Sequence, residues 1–185
     1  MKSAALVGIA LLGFLAVALA LRKLSEKQRP RLPPEEVYRG LRGLALGFSR
    51  AKLNLPPTAT PTEPWGVIMD WGVETGPVSI VAVADGSASI YMSNGGGYIG
   101  GSSHESIREA AQNMVKAAAE VQNKTTATTI YPLPGRGEVI FYLLTDAGIF
   151  TAGGSEEELK AHRHLLSKLG DAGQEIITQY LLIQK

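Results

Sequence analysis

The sequence of 185 residues contains no cysteine. That absence excludes disulfide bonds, zinc sites built on thiolates, and a lipid-modified cysteine that would tether the chain to a membrane. It leaves the redox compartment open, because chains without cysteine occur on both sides of a membrane. The chain is therefore not a secreted domain that disulfide bonds stabilise.

The chain also lacks a large net charge, which is +1, but its two parts differ in sign. Residues 1–52 carry ten Lys or Arg and three Glu (+7), whereas residues 53–185 carry eight Lys or Arg and fourteen Asp or Glu (−6). A basic part that adjoins an apolar segment favours anionic lipid as its partner. The acidic remainder lacks the basic face that nucleic acid requires. We therefore predict no nucleic-acid partner.

Residues 3–21 form a run of nineteen residues without a charge. As a helix, this run would be about 28 Å long, close to the thickness of a bilayer core. Five basic residues follow it: Arg22, Lys23, Lys27, Arg29 and Arg31. A basic flank of this kind stays on the cytoplasmic side. The sequence therefore predicts a single-pass anchor over residues 1–23 in the inner (cytoplasmic) membrane, with the lipid bilayer as a partner and the body in the cytoplasm.

A cleaved signal peptide is the alternative interpretation of the same run. Lys2 supplies a short basic n-region, and Ala18-Leu19-Ala20 fits a small-x-small cleavage site. The body would then be exported after cleavage near Ala20. The length of the apolar run and the basic flank favour the anchor over this alternative.

An amphipathic helix is predicted over residues 35–53, after a basic, proline-containing linker over residues 24–34. Proline followed by two acids is typical of a helix start. The apolar stripe of the helix recurs every three or four residues and contains Val37, Leu41, Leu44, Phe48 and Ala51. The glycines beside it, which permit close approach of another backbone, are Gly40, Gly43 and Gly47. We expect this helix to pack on the body or on a partner; the membrane surface is the alternative.

Prolines and threonines make residues 54–64 an extended linker, so a globular domain is expected over residues 65–185. Apolar runs predict strands near residues 65–73, 78–84, 87–92, 138–145 and 149–152. A short additional edge strand is expected at Ile130 and Tyr131. Asp85-Gly86 predicts a two-residue hairpin turn between the second and third strands.

Two capping boxes, Ser102 with Glu105 and Ser155 with Glu158, predict the starts of two helices. The second of these helices is expected to be continuous to Ile183, since its apolar positions recur at steps of three and four. Its predicted buried stripe contains Leu159, His162, Leu166, Leu169, Gly173, Ile176, Tyr180 and Ile183. A break at Gly170-Asp171 is the alternative.

The element order is helix, three strands, helix, two or three strands, helix. It predicts an α+β fold in which helices pack on an antiparallel sheet of about five strands. This order and the Asp85-Gly86 hairpin resemble the roadblock family and, more loosely, the longin and profilin-like folds, over about residues 35–185. The resemblance implies a scaffold that dimerises or binds small GTPases and signalling partners without catalysis. The glycine-rich stretch at residues 94–101 departs from roadblock proteins, and no functional residue is carried over.

Five of the thirteen residues at positions 93–105 are glycine, between a predicted strand and a predicted helix. The segment satisfies G-x-G-x-x-G, but a dinucleotide site needs that motif in a parallel βαβ unit, and the preceding strand is one arm of a hairpin. Free N–H groups near the helix start would bind an anion or a small ligand. The candidate ligand-binding residues are Asn94, Gly95, Gly96, Gly97, Gly100, Gly101, Ser102, Ser103 and His104. A tight turn or a partner contact is the alternative interpretation.

The titratable residues give no catalytic pattern. His104 adjoins two serines but has no positioned partner, and no Gly-x-Ser-x-Gly elbow is present, so hydrolysis is the least favoured activity. His162 and His164 lie about 200° apart on a helix and cannot chelate one ion. Asp70 and Glu74 are about 13 Å apart on a strand, and are interpreted as solvated residues. We predict neither a metal site nor a cofactor.

Together these features predict a membrane-anchored, non-catalytic interaction or sensor module. It is expected to self-associate as a homodimer or to bind another protein. The alternative function is a domain that binds a small ligand or an anion at residues 94–104.

Overall fold

The computed structural model describes residues 32–184 and contains a seven-stranded sheet whose neighbouring strands are all antiparallel. The strands are β1 Gly66–Val73, β2 Gly76–Val83, β3 Ala88–Met92, β4 Gly97–Ile99, β5 Thr126–Thr128, β6 Glu138–Thr145 and β7 Gly148–Ser155. Their order across the sheet is β4-β3-β2-β1-β6-β7-β5. The α+β class and the antiparallel sheet are therefore confirmed.

Strand β1 lies at the centre of the sheet, where Met69 is opposite Ile80 of β2 and Phe141 of β6. The predicted hairpin between β2 and β3 is confirmed, because Gly86 has a φ of 89° and its N–H donates to the carbonyl of Val83. A tight hairpin turn needs this left-handed backbone, which glycine adopts without strain.

The helices pack on both faces of the sheet. They are α1 Pro34–Leu46, α2 Glu105–Val121, α3 Glu156–Lys160 and α4 Ser167–Leu182. Helices α2 and α4 cover one face, where Val67 and Met69 of β1 point, and α1 covers part of the other face, where Ile68 points. A strand buried on both faces is apolar throughout, which explains the continuous apolar runs in β2 and β6.

The prediction of about five strands is too low. The two additional strands, β4 and β5, are three residues long and form the two edges of the sheet. Strand β5 replaces the edge strand predicted at Ile130 and Tyr131, and Ile130 is exposed. Strands this short carry too little periodicity to be recognised in a sequence.

The prediction of one continuous C-terminal helix is wrong. Helix α3 ends at Lys160, His162 has a φ of 52°, and α4 begins at Ser167. A single helix over this stretch would be about 40 Å long, whereas an eight-residue strand spans about 26 Å. The break shortens α4 to about the length of the sheet. His162 is consequently exposed rather than half-buried, and Ile183 is also exposed.

Helix α1 is shorter than the predicted residues 35–53, and the linker that follows it lies on the body. Leu55 and Trp65 belong to the core beneath α1, and the N–H of Ala147 donates to the carbonyl of Pro61. The searched helices, all within residues 32–184, are too short or too polar to cross a bilayer. The predicted anchor over residues 3–21 lies outside the described residues.

Candidate functional site

A buried ion pair attaches α1 to the sheet. Arg42 of α1 donates from Nε to Oδ2 of Asp70 on β1 over 2.7 Å, and the Asp70 side chain is fully buried. Ser79 of β2 donates to the other carboxylate oxygen, and its hydroxyl is 3.0 Å from that of Tyr38. The interpretation of Asp70 as solvated is therefore wrong, because α1 covers the strand face that the sequence left open.

The rest of the Arg42 guanidinium is held by the loop before β6. It donates to the carbonyl oxygens of Tyr131 and Pro132 over 3.1 and 3.3 Å and lies over the Tyr142 ring, 5.4 Å from its centroid. Tyr142 also donates to Pro132, over 2.6 Å. The cluster thus joins α1, β1, β2 and the loop before β6, and fixes how α1 is rotated about its axis.

Burial dominates the titration of this cluster. It raises the pKa of Asp70, although the Arg42 guanidinium opposes the shift. Burial also raises the pKa of Tyr38 and of Tyr142 to about 12, so both tyrosines stay neutral at physiological pH. A buried, hydrogen-bonded pair of this kind makes the position of the helix rigid.

The rotation imposed by Arg42 leaves part of the apolar stripe of α1 facing away from the sheet, whereas Leu41 and Phe48 pack against the core. The buried residues of α1 are Tyr38, Arg42 and Ala45. Val37 and Leu44 are 43% and 66% exposed, so the body does not cover this part of the stripe, and packing on a partner stays a prediction. Within that stripe Leu41 and Phe48 are half-buried and Ala51 is exposed. An apolar ridge therefore faces outwards on this helix.

Glycines flatten the surface beside this ridge. A Cβ atom added at Gly40 or Gly43 would meet no other atom within 4 Å. We refer to Val37, Gly40, Gly43 and Leu44 as the outer face of α1. Small residues on a helix surface let a second helix approach closely, so this face has the shape of a helix-packing surface.

The glycine-rich stretch forms an edge of the sheet. Asn94, Gly95 and Gly96 lie in the turn between β3 and β4, and Gly97 begins β4 opposite Tyr91. A Cβ atom at Gly97, where φ is 141°, would be 2.2 Å from the carbonyl oxygen of Ile90. Glycine is required at this position because the neighbouring strand is so close.

The second half of the stretch leads into α2. Gly101 is buried, and a Cβ there would be 2.4 Å from the Tyr180 hydroxyl oxygen, whereas Ser102, Ser103 and His104 are exposed. Helix α2 begins at Glu105 with His104 as N-cap and without a side-chain cap, so the capping box predicted at Ser102 is wrong. Gly97 and Gly101 are thus explained by packing. Ligand binding at residues 94–104 stays a prediction.

Two substitutions separate packing from binding in this stretch. Gly97→Ala is expected to destabilise the fold by at least about 2 kcal/mol, because it adds both φ strain and a backbone clash. Gly100→Asn should cost less than about 1 kcal/mol, since its φ of 80° suits asparagine and nothing lies within 4 Å. Chemical denaturation measures both changes. A Gly97→Ala protein of unchanged stability would contradict the packing role.

The remaining predicted residues do not assemble into a site. His162 Nδ1 lies 3.5 Å from an exposed carboxylate oxygen of Asp171, and half-buried His164 packs against Gly154. The capping box at Ser155 is confirmed, since its hydroxyl accepts from the N–H of Glu158. Over residues 32–184, no three acidic or histidine side chains are grouped so as to hold a metal ion.

No protein-family model, curated protein or solved structure matches this chain.

Proposed function

We propose that this protein is a membrane-tethered, non-catalytic interaction module that self-associates through the outer face of α1. The observation that carries the proposal is the exposure of Val37 and Leu44 on a helix whose polar residue Arg42 is buried. The pairing of Arg42 with Asp70 holds α1 in a rotation that buries Tyr38 and leaves Leu44 outside. The observed rotation leaves an apolar surface for a partner.

A second copy of the chain is the partner that this surface suits best. The four residues of the outer face carry no charge, and the charged residues one turn away, Glu36 and Arg39, are of opposite sign. Its glycines allow two helices to pack closely about a two-fold axis. The resemblance of the element order to dimerising roadblock proteins points in the same direction.

We expect the association to be weak in solution and stronger at a membrane. Helix α1 has 13 residues and is therefore about 20 Å long, too short to bury the roughly 800 Å² per partner of a standard interface. Tethering by an anchor over residues 3–21, with the body on the cytoplasmic side, would raise the effective concentration of the copies.

Disulfide crosslinking tests the proposal in the full chain, because the protein has no cysteine of its own. Gly40 is the midpoint of α1, so a cysteine there meets its counterpart in either a parallel or an antiparallel helix pair. We expect Gly40→Cys in membranes to form a crosslinked dimer on mild oxidation. The control, Thr178→Cys, is exposed on α4 and should stay monomeric. No dimer at Gly40, or equal amounts in both variants, would contradict the proposal.

A further inference from the structure

A long groove lies at the end of the sheet, between the proline-rich segment that precedes β1 and the outer surface of α2. Its volume is about 640 Å³, within the range of sites that hold small ligands. Within residues 32–184, no candidate ligand-binding residue predicted from the sequence borders it, although the predicted linker over residues 54–64 forms one wall. One wall of the groove is apolar and the other is polar.

The polar wall is one stripe of α2. Glu109, Gln112, Asn113 and Lys116 all border the groove, at spacings of three or four residues that place them on the same side of the helix. From Glu109 to Lys116 the helix rises about 10.5 Å. Within the described part of the chain, neither charge has an ion-pair partner. A carboxylate and an ammonium group thus flank two side-chain amides.

The opposite wall is the extended segment before β1. Pro56, Pro57 and Pro64 give it a rigid apolar surface, with Leu55 and Trp65 buried behind it. Among residues 32–184, no donor reaches the carbonyl oxygens of Pro56 and Pro57. This wall therefore offers hydrogen-bond acceptors and surface for an apolar side chain.

We propose that this groove binds a short free peptide of about three residues with both termini charged. An extended peptide advances about 3.4 Å per residue, so three residues match the 10.5 Å between Glu109 and Lys116. The terminal ammonium group pairs with Glu109 and the terminal carboxylate with Lys116. The amides of Gln112 and Asn113 bond to the peptide backbone between them, and an apolar side chain contacts the proline wall.

The charged residues at the groove determine the direction in which the peptide chain binds. Glu63 is a second carboxylate at the groove, but its Oε2 already accepts a hydrogen bond of 2.7 Å from the backbone N–H of Ala59. Glu109 is therefore the partner of the ammonium group, and among residues 32–184 Lys116 is the only basic residue that borders the groove. A peptide with one blocked end loses one of these two contacts.

Calorimetric titration of the full chain in detergent micelles tests the proposal. The probes are the tripeptide Ala-Leu-Ala, its N-acetyl form and its C-terminal amide. We expect each blocked form to bind about tenfold more weakly, since each loses a charge-assisted hydrogen bond. Glu109→Gln should remove the preference for a free N-terminus and keep the preference for a free C-terminus. Lys116→Gln should do the reverse.

Lys124→Gln and Glu36→Gln are matched controls, since both residues are exposed and lie outside the groove. They should keep the full discrimination between free and blocked peptides. The proposal is overturned if Ala-Leu-Ala fails to bind at about 5 mM, or if the two groove variants discriminate as the wild type does. The peptide site does not depend on association through α1. A monomeric protein that binds the peptide would therefore contradict self-association and support the peptide site.

Discussion

Arg42→Met is expected to destabilise the fold by about 3–5 kcal/mol at neutral pH, the largest effect predicted for any single residue of this protein. The substitution keeps an unbranched apolar stem but leaves the Asp70 carboxylate fully buried without its cation. It also removes the donor to the Tyr131 carbonyl oxygen. Equilibrium unfolding in guanidinium chloride measures the loss.

The loss should depend on pH in a defined direction. Burial raises the pKa of Asp70, so the Asp70 carboxyl group binds a proton more tightly in the folded chain than in the unfolded chain. The stability from this group therefore falls as the pH rises from the unfolded pKa through the folded pKa. Removal of Arg42 raises the folded pKa further. The loss of stability caused by Arg42→Met should become smaller as the pH falls towards about 3.9, the ordinary pKa of aspartate.

The double variant Arg42→Met with Asp70→Leu separates charge burial from packing. Replacement of both ions by apolar residues should recover at least half of the loss, because no uncompensated charge remains. A loss that is independent of pH, or that the double variant does not reduce, would contradict an ion pair that fixes α1.

Leu44→Glu is expected to raise the dissociation constant of the homodimer about 100-fold. Leu44 is the most exposed apolar residue of the outer face of α1. A two-fold axis makes each substitution act twice, and the loss of one buried leucine is worth roughly 1.5 kcal/mol per copy. The total of about 3 kcal/mol corresponds to about two orders of magnitude. Sedimentation velocity over a range of concentrations measures the shift.

Leu182→Glu is the matched control for this substitution. Leu182 is 52% exposed at the end of α4, on the opposite face of the sheet from α1. It should leave the dissociation constant unchanged. If Leu182→Glu dissociates the dimer and Leu44→Glu does not, the interface lies on α4.

The sequence predicted the five longer strands but not the break in the C-terminal helix. The apolar run of β1, the hairpin at Asp85-Gly86 and the cap at Ser155 each depend on residues close in sequence, so they are visible without a structure. The edge strands β4 and β5 and the break at His162 depend on what lies beside them in the sheet, and local sequence does not specify them.

The candidate site was predicted only in part, for a related reason. The stripe containing Val37 and Leu44 was recognised, but the sequence left open whether the body, a partner or the membrane surface covers it. Its true orientation is set by the pairing of Arg42 with Asp70, 28 positions away. An aspartate among the apolar residues of β1 was the available signal, and an arginine opposite it on α1 was the missing partner. The groove along α2 depends on residues 44 to 60 positions apart in sequence, from Pro56 and Trp65 to Glu109 and Lys116.

The molar mass of residues 32–185 in solution tests self-association most directly. Sedimentation equilibrium should show the monomer at low concentration and a mass that approaches the dimer at about 100 μM, with the rise abolished by Leu44→Glu. A monomer mass at every concentration, for the wild type as for the variant, would contradict self-association through the outer face of α1.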